Sequence, residues 1–196
     1  MAHDHVVLRP GEPGVNAYAL LTSIVVPRPI AWVSTVSAAG VGNLAPHSFF
    51  TVASAKPPVV QFTSVGAKDT LRNVRETGEF TISLASRALL DEVNASSATY
   101  DPRVDEAHEL GIAMTASAVV APPRVAGSPA SIECRLHDTI DVGDSTIVLG
   151  AVVAVTVDPD VLVDGRPAHD RLAPLSRLGG DEWGLPPEVV RVARPR

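Results

Sequence analysis

Apolar positions along this chain come in short runs broken by turn residues, and few of them recur at helical spacing. Ile30 to Ser37 reads as a strand closed by a turn around Ala39-Gly40. Phe49 to Ser54 and Val59 to Thr63 read as two more, separated by Lys56-Pro57-Pro58, and Glu79 to Leu84 as a fourth. Ser131 to Ile140 and Thr146 to Val157 predict a long antiparallel pair turning at Gly143-Asp144. Helical spacing occurs in two places. Asp69 to Thr77 sets Leu71 and Val74 three apart, with Asp69 or Thr70 as cap and Gly78 as stop. Ser86 to Ser97 carries Ala88, Leu89, Leu90 and Val93 and predicts a second helix.

Between these elements, residues 43–50 read as a loop, and a short extended piece is expected near Leu162 in a Pro- and Gly-rich tail. Pro10, Gly11, Pro13 and Gly14 make residues 1–16 an irregular arm, leaving 17–196 as one domain. Many short strands with few helices predict a mainly β chain, closed or partly closed into an antiparallel barrel. No Gly-x-Gly-x-x-Gly follows a strand and no Walker A sequence occurs, which excludes the commonest nucleotide-binding motifs.

Composition narrows this further. Of 196 residues, 45% are apolar and only 4% aromatic, so the core must be built from Val, Ala, Leu and Ile, which suits strands. A net charge of −6 without a basic stripe argues against nucleic acid, and an anionic ligand would need a specific pocket. Cys134 is the only cysteine, so no intrachain disulfide forms, in keeping with a reducing cytoplasm. The N-terminus lacks the apolar stretch of a secretory signal, and no run is long enough to span a bilayer. A cytoplasmic protein is the expectation. The histidines have no metal-ligand spacing, and no metal is expected.

Three segments could carry chemistry. Lys68-Asp69-Thr70 opens a helix, where free N–H groups and the macrodipole favour a phosphate; taken alone, so common a tripeptide reads first as an ordinary capped helix beside a solvated lysine. In 43–50, Asn43 and Ser48 supply polar groups, Pro46 stiffens the chain, and Phe49 and Phe50 could border a planar ring or simply pack in a core. Arg28, held extended between Pro27 and Pro29, could grip a phosphate or serve a structural turn. Ser34 and Thr35 are ordinary strand residues unless a ligand covers them. Cys134 on its strand reads as core.

In order and spacing, VPRPIAWVST (26–35), NLAPHSFF (43–50), PPVVQFT (57–63) and KDTLRN (68–73) resemble the flavin reductase-like family. IECRL (132–136), STIVLGAVVAV (145–155) and LAPLSRLGG (172–180) extend the likeness over most of residues 18–183. The resemblance implies a six-stranded antiparallel split β-barrel with a few peripheral helices. It implies FMN, less often FAD, at the boundary of a homodimer. NADH or NADPH would be the reductant, and reduced flavin could pass to a partner monooxygenase; the alternative is a flavin-bound electron carrier. Carried over by motif, the cofactor-binding residues are Ser34, Thr35, Asn43, Ala45, Pro46, Ser48, Phe49, Phe50, Lys68, Asp69 and Thr70, with Arg28 added and Arg177 weaker. No side chain need act as acid or base, so no catalytic residue is expected. Many reductases of the family carry a histidine where Ser145 stands here, near the nicotinamide; its absence questions pyridine-nucleotide use without touching flavin binding. His47 is a local substitute to consider, and Trp183 could cover the ring or pack at a dimer interface.

Overall fold

A computed structural model of the protein describes residues 5–195. Its body is a seven-stranded antiparallel sheet: β1 (Ala31–Val36), β2 (Gly42–His47), β3 (Phe50–Ala55), β4 (Pro58–Val65), β5 (Glu79–Leu84), β6 (Ala130–Val142) and β7 (Ser145–Val157). The order across the sheet is β2-β1-β5-β6-β7-β4-β3. The edge strands β2 and β3 are joined by only Ser48 and Phe49, so the sheet must curl until its two ends meet. The Thr63 N–H of β4 donates to the Phe49 carbonyl at 2.9 Å, and the His47 and Phe62 rings lie 4.7 Å apart across the closing seam. This is a split barrel, in agreement with the sequence reading, but with seven strands instead of six. Six of them coincide with the predicted runs. The seventh is β2, which the sequence presents as a loop. Asn43 and Pro46 disguise it, yet an edge strand has one unpaired side, where a proline forfeits no ladder bond.

The barrel interior is filled by Val33, Val60, Phe62, Val74, Phe80, Cys134 and Val148, with Phe62 and Phe80 edge to face at a centroid distance of 5.5 Å. Cys134 is core, and burial pushes its thiol up to about 12, with Glu133 adding to the rise. The long pair β6–β7 shifts register between Leu149 and Gly150. A Cβ at Gly150 would collide with the Phe80 ring and press on Cys134, so this position passes between two core side chains only as glycine. A second cluster outside the barrel joins Ile30, Trp32, Leu44, Val93, Ile112 and Leu175.

Helix α1 (Ala17–Ile24) precedes the barrel and is capped by the Asn16 side chain, which accepts from the Ala19 N–H. It had no counterpart in the sequence reading, because it buries only Thr22 and leaves its apolar residues outward. Helix α2 (Asp69–Thr77) matches the expected range and ends at Gly78, which adopts the left-handed conformation. Its cap differs. Lys68 holds the N-cap position, and no side chain bonds the first turn. The helix expected over 86–97 divides into a 3₁₀ turn at Arg87–Leu89 and α3 (Leu90–Ala95). The Leu89 N–H bonds the Ser86 carbonyl at 3.0 Å, three residues back, while the Arg87 N–H, which no helix start can pair internally, donates to the Ala173 carbonyl at 2.8 Å. A short α4 (Glu106–Glu109) follows, capped by Asp105. None of the helices among the described residues is long and apolar enough to cross a membrane.

Candidate functional site

Helix α2 leaves β4 through Gly66, whose N–H donates to the Asp144 carbonyl in the β6–β7 turn at 2.9 Å. The N–H groups of Asp69, Thr70 and Leu71, in the first turn, have no intrahelical partner, and no side chain caps them. The helix start at Lys68, Asp69 and Thr70 lines a cleft of about 350 Å³ between α2 and β2, walled by Asn43, Ala45, Pro46 and His47 on one side and by Ser96–Tyr100 on the other. Lys68 stands exposed at its rim. An uncapped helix start beside an exposed lysine has the chemistry to hold an anion.

The helix end is fastened by a buried network. The Asn43 side-chain amide donates to Thr70 Oγ1 at 3.0 Å and to Thr35 Oγ1 at 3.3 Å, and Asn73 donates to the same Thr35 oxygen at 3.0 Å. Two asparagines, one on β2 and one on α2, thus converge on Thr35 of β1 and Thr70 of α2, which holds the start of α2 against the sheet. Two carboxylates share the cleft. Asp69 is paired with Arg72 at 2.6 Å. Glu106 is buried, accepts from the Leu44 N–H at 2.9 Å, and is raised above the usual range, chiefly by burial.

Two further hollows continue from the cleft. One of about 180 Å³ is lined by Ile30, Pro46, Ser48, Asn94, Ser97, Arg177 and Trp183, with the Arg177 guanidinium 4.7 Å from the Trp183 ring centroid. The other, about 500 Å³ and mostly apolar, is lined by Leu21, Val25, Arg28, Ser48, Phe49 and Phe50 among others. The single stretch 43–51 runs beneath all three hollows.

The sequence-predicted residues therefore separate. Asn43, Ala45, Pro46, Lys68, Asp69 and Thr70 meet at the cleft; Ser48 lies between the two further hollows, and Phe49 and Phe50 line the apolar one. Thr35 lies inside the network, and buried Ser34 donates to the Pro123 carbonyl. The Arg28 guanidinium is taken up by backbone carbonyls of Thr22, Val25 (3.1 Å) and Leu178 (2.7 Å). Ser145 bonds its neighbour Asp144 at 2.8 Å. Sequence reasoning overlooked Ser96–Tyr100 and Glu106. The run Ser96-Ser97-Ala98-Thr99-Tyr100 matches no motif, but it is dense in hydroxyls, and Ser96 accepts from Trp32 Nε1 at 2.9 Å, which holds it over the cleft.

Comparisons with known proteins agree with this geometry. The profile of the family described as "Flavin reductase like domain" matches residues 23–171. An uncharacterized protein of Deinococcus radiodurans is 39% identical over 188 residues, covering 91% of this chain and 82% of that one. The structure of nitrilotriacetate monooxygenase component B from Bacillus cereus superposes with a TM-score of 0.92 at 29% identity, over 97% of this chain and 100% of that one. That of the 2-nitrobenzoate 2-nitroreductase NbaA from Pseudomonas fluorescens does so at 0.87 and 27%, over 98% and 96%.

Proposed function

Given that this chain belongs to the flavin reductase-like family, we propose that it binds FMN in the cleft between β2 and α2 and oxidises NADH or NADPH through it. The observation that carries the reading is the uncapped start of α2, with Lys68 at its N-cap, opening into a cleft of suitable size. His47 lines the same cleft from the β2 side. Bound flavin would supply the redox chemistry, accepting two electrons from a reduced nicotinamide. The protein's part is to bind and orient.

The free N–H groups of α2, Lys68 and the Thr70 hydroxyl hold the phosphate, while Asn43, Thr35 and Asn73 keep the helix end in place. Ala45 and Pro46 present a flat, small surface along which the ring lies toward Ser48. The Arg177–Trp183 pair borders the neighbouring hollow, where a nicotinamide would approach. The relative that is component B of a monooxygenase supports a reductase that delivers reduced flavin to an oxygenase. The apolar hollow beside α1 is the seat of a second copy of the chain.

The test is the visible spectrum of the purified protein under anaerobic conditions, after FMN and then each nicotinamide. A flavin band that either nicotinamide bleaches is the expected result. A bound band that neither bleaches converts the reading to an electron carrier. Failure to bind FMN or FAD at all overturns it. Lys68→Ala is expected to weaken FMN about tenfold, the scale of one charge-assisted hydrogen bond, and to leave riboflavin unchanged.

A further inference from the structure

The hollow that holds the Arg177–Trp183 pair is chemically unlike the cleft beside it. Arg28–Pro29, Ser176–Arg177 and Trp183–Gly184 form a small three-stranded antiparallel sheet, in which Arg177 sits opposite Arg28 on one side and Trp183 on the other. Directly opposed residues share a face, so two guanidiniums and an indole gather on one side of this sheet. Like charges so placed repel, yet neither arginine has a carboxylate partner among the described residues. Arg28 is buried and commits its Nη1 and Nη2 to backbone carbonyls. Arg177 is only half-buried and lines the hollow. Its Nη2 donates to the Gly180 carbonyl at 2.6 Å, and its guanidinium lies 4.7 Å from the Trp183 ring centroid. These contacts hold the fork in place, and one carbonyl takes up only one of its five donors. Asp181 and Glu182, in the turn between the two strands, are exposed and do not line the hollow. A chain of net charge −6 thus keeps a cation without a paired carboxylate at the wall of a small cavity.

The rest of the lining says what kind of anion fits. Ile30, Pro46 and Trp183 offer apolar surface, and Ser48, Asn94 and Ser97 add hydroxyl and amide groups. The volume of about 180 Å³ lies below the roughly 300–1,000 Å³ of pockets for drug-sized ligands, and it suits one ring, not a nucleotide. A neutral carboxamide, such as that of nicotinamide, asks for no counter-charge; a carboxylate does. We propose that this hollow binds a small aromatic acid, a single ring bearing one carboxylate, with the carboxylate on Arg177 and the ring against Trp183 and Pro46. Binding of the acid stands on the hollow alone. That the acid takes turns there with a nicotinamide rests on the neighbouring cleft being the flavin site.

The chain has two tryptophans. Trp32 is fully buried and its Nε1 donates to Ser96, whereas Trp183 lines the hollow. Two indole N–H signals in ¹H–¹⁵N spectra therefore report the core and the hollow separately. Benzoate, benzamide and inorganic phosphate are titrated into flavin-free wild type, Arg177→Met and Arg177→Lys. Benzoate is expected to move the Trp183 signal and not that of Trp32. It should bind about tenfold more tightly than benzamide, the scale of one charge-assisted hydrogen bond. Arg177→Met should lose about tenfold for benzoate and nothing for benzamide; Arg177→Lys, which keeps the charge without the fork, should fall between.

Equal affinities for benzoate and benzamide overturn the proposal, because the hollow would then be an aromatic slot with no anchor for an acid. Phosphate that binds there as tightly as benzoate also overturns it, as does a folded Arg177→Met that keeps wild-type benzoate affinity. Should the variants fold poorly, the comparison of benzoate with benzamide on wild type decides alone. Benzoate binding by a protein that takes up no FMN supports the proposal and overturns the flavin reading; FMN uptake without benzoate binding does the reverse. In the FMN-loaded protein, benzoate should raise the KM of the nicotinamide and leave kcat unchanged. An unmoved KM overturns the shared occupancy.

Discussion

Arg28 shows how one residue can satisfy a sequence argument and still take another role. Two prolines hold its backbone extended, as expected, but the guanidinium turns inward and ties the end of α1 and the Leu178 segment to the barrel entrance. Arg28→Met would strand several buried carbonyls, so a loss of about 1–3 kcal/mol in urea denaturation is expected. A variant with wild-type stability and weakened FMN binding would return Arg28 to the phosphate site. His47 makes a complementary case, in which burial sets a titration. Burial, and then the charge of Lys68, lower its pKa from 6.5 to about 4. The unfolded chain thus binds a proton that the folded one refuses between these two values. Stability from this residue is complete above about pH 6.5 and drains away as the pH falls toward 4, by at most about 3 kcal/mol. Denaturation curves at pH 7 and pH 4.5 should show a smaller drop for His47→Phe than for wild type. Equal drops would place the acid sensitivity elsewhere.

Among the elements, those that bury an apolar face were legible and those that do not were missed. β5 and α2 were readable to the residue because Phe80, Ile82, Leu71 and Val74 repeat at strand and helix periods and point into one core. Helix α1 was invisible for the opposite reason: its apolar side chains face outward, and no stripe marks an inner side. β2 was hidden by Pro46 and Asn43, residues that an edge strand tolerates. The cleft was legible at Lys68–Thr70 and 43–50, where a motif exists. It was illegible at Ser96–Tyr100, which reaches the cleft only through tertiary packing beneath Trp32. The α2 cap carries the clearest trade at this scale. Lysine is a poor N-cap, and Lys68→Asp should stabilise the helix by about 1 kcal/mol, seen as a higher melting temperature, while abolishing phosphate-dependent FMN affinity. Opposite movement of the two readouts is the expected result; a melting temperature that falls would show that Lys68 supports the fold instead. In the β6–β7 pair, Gly150→Ala should cost about 1–3 kcal/mol because neither Phe80 nor Cys134 has room to retreat.

For the molecule as a whole, the three hollows follow residues 43–51, from the α2 start past the Arg177–Trp183 pair to the apolar face of α1. Tyr18, Leu21, Ile24 and Val25 are all more than half exposed there, with Ile24 at 72%. Continuous apolar surface of this kind on a folded chain marks a binding face. Its continuity with Ser48, Phe49 and Phe50 supports the proposed seat of a second copy, which would there complete the wall of the proposed flavin site. If so, assembly and flavin binding are coupled, because each ordered surface helps to build the other. Ile24→Asp tests this in one variant. It sets a charge in the middle of the face without touching the barrel core, so circular dichroism should be unchanged. Analytical ultracentrifugation should then show a dimer becoming a monomer, and FMN affinity should fall with it. A wild-type monomer at micromolar concentration would remove the interface. A monomeric variant with full FMN affinity would keep the interface and show that each cleft is complete within its own chain.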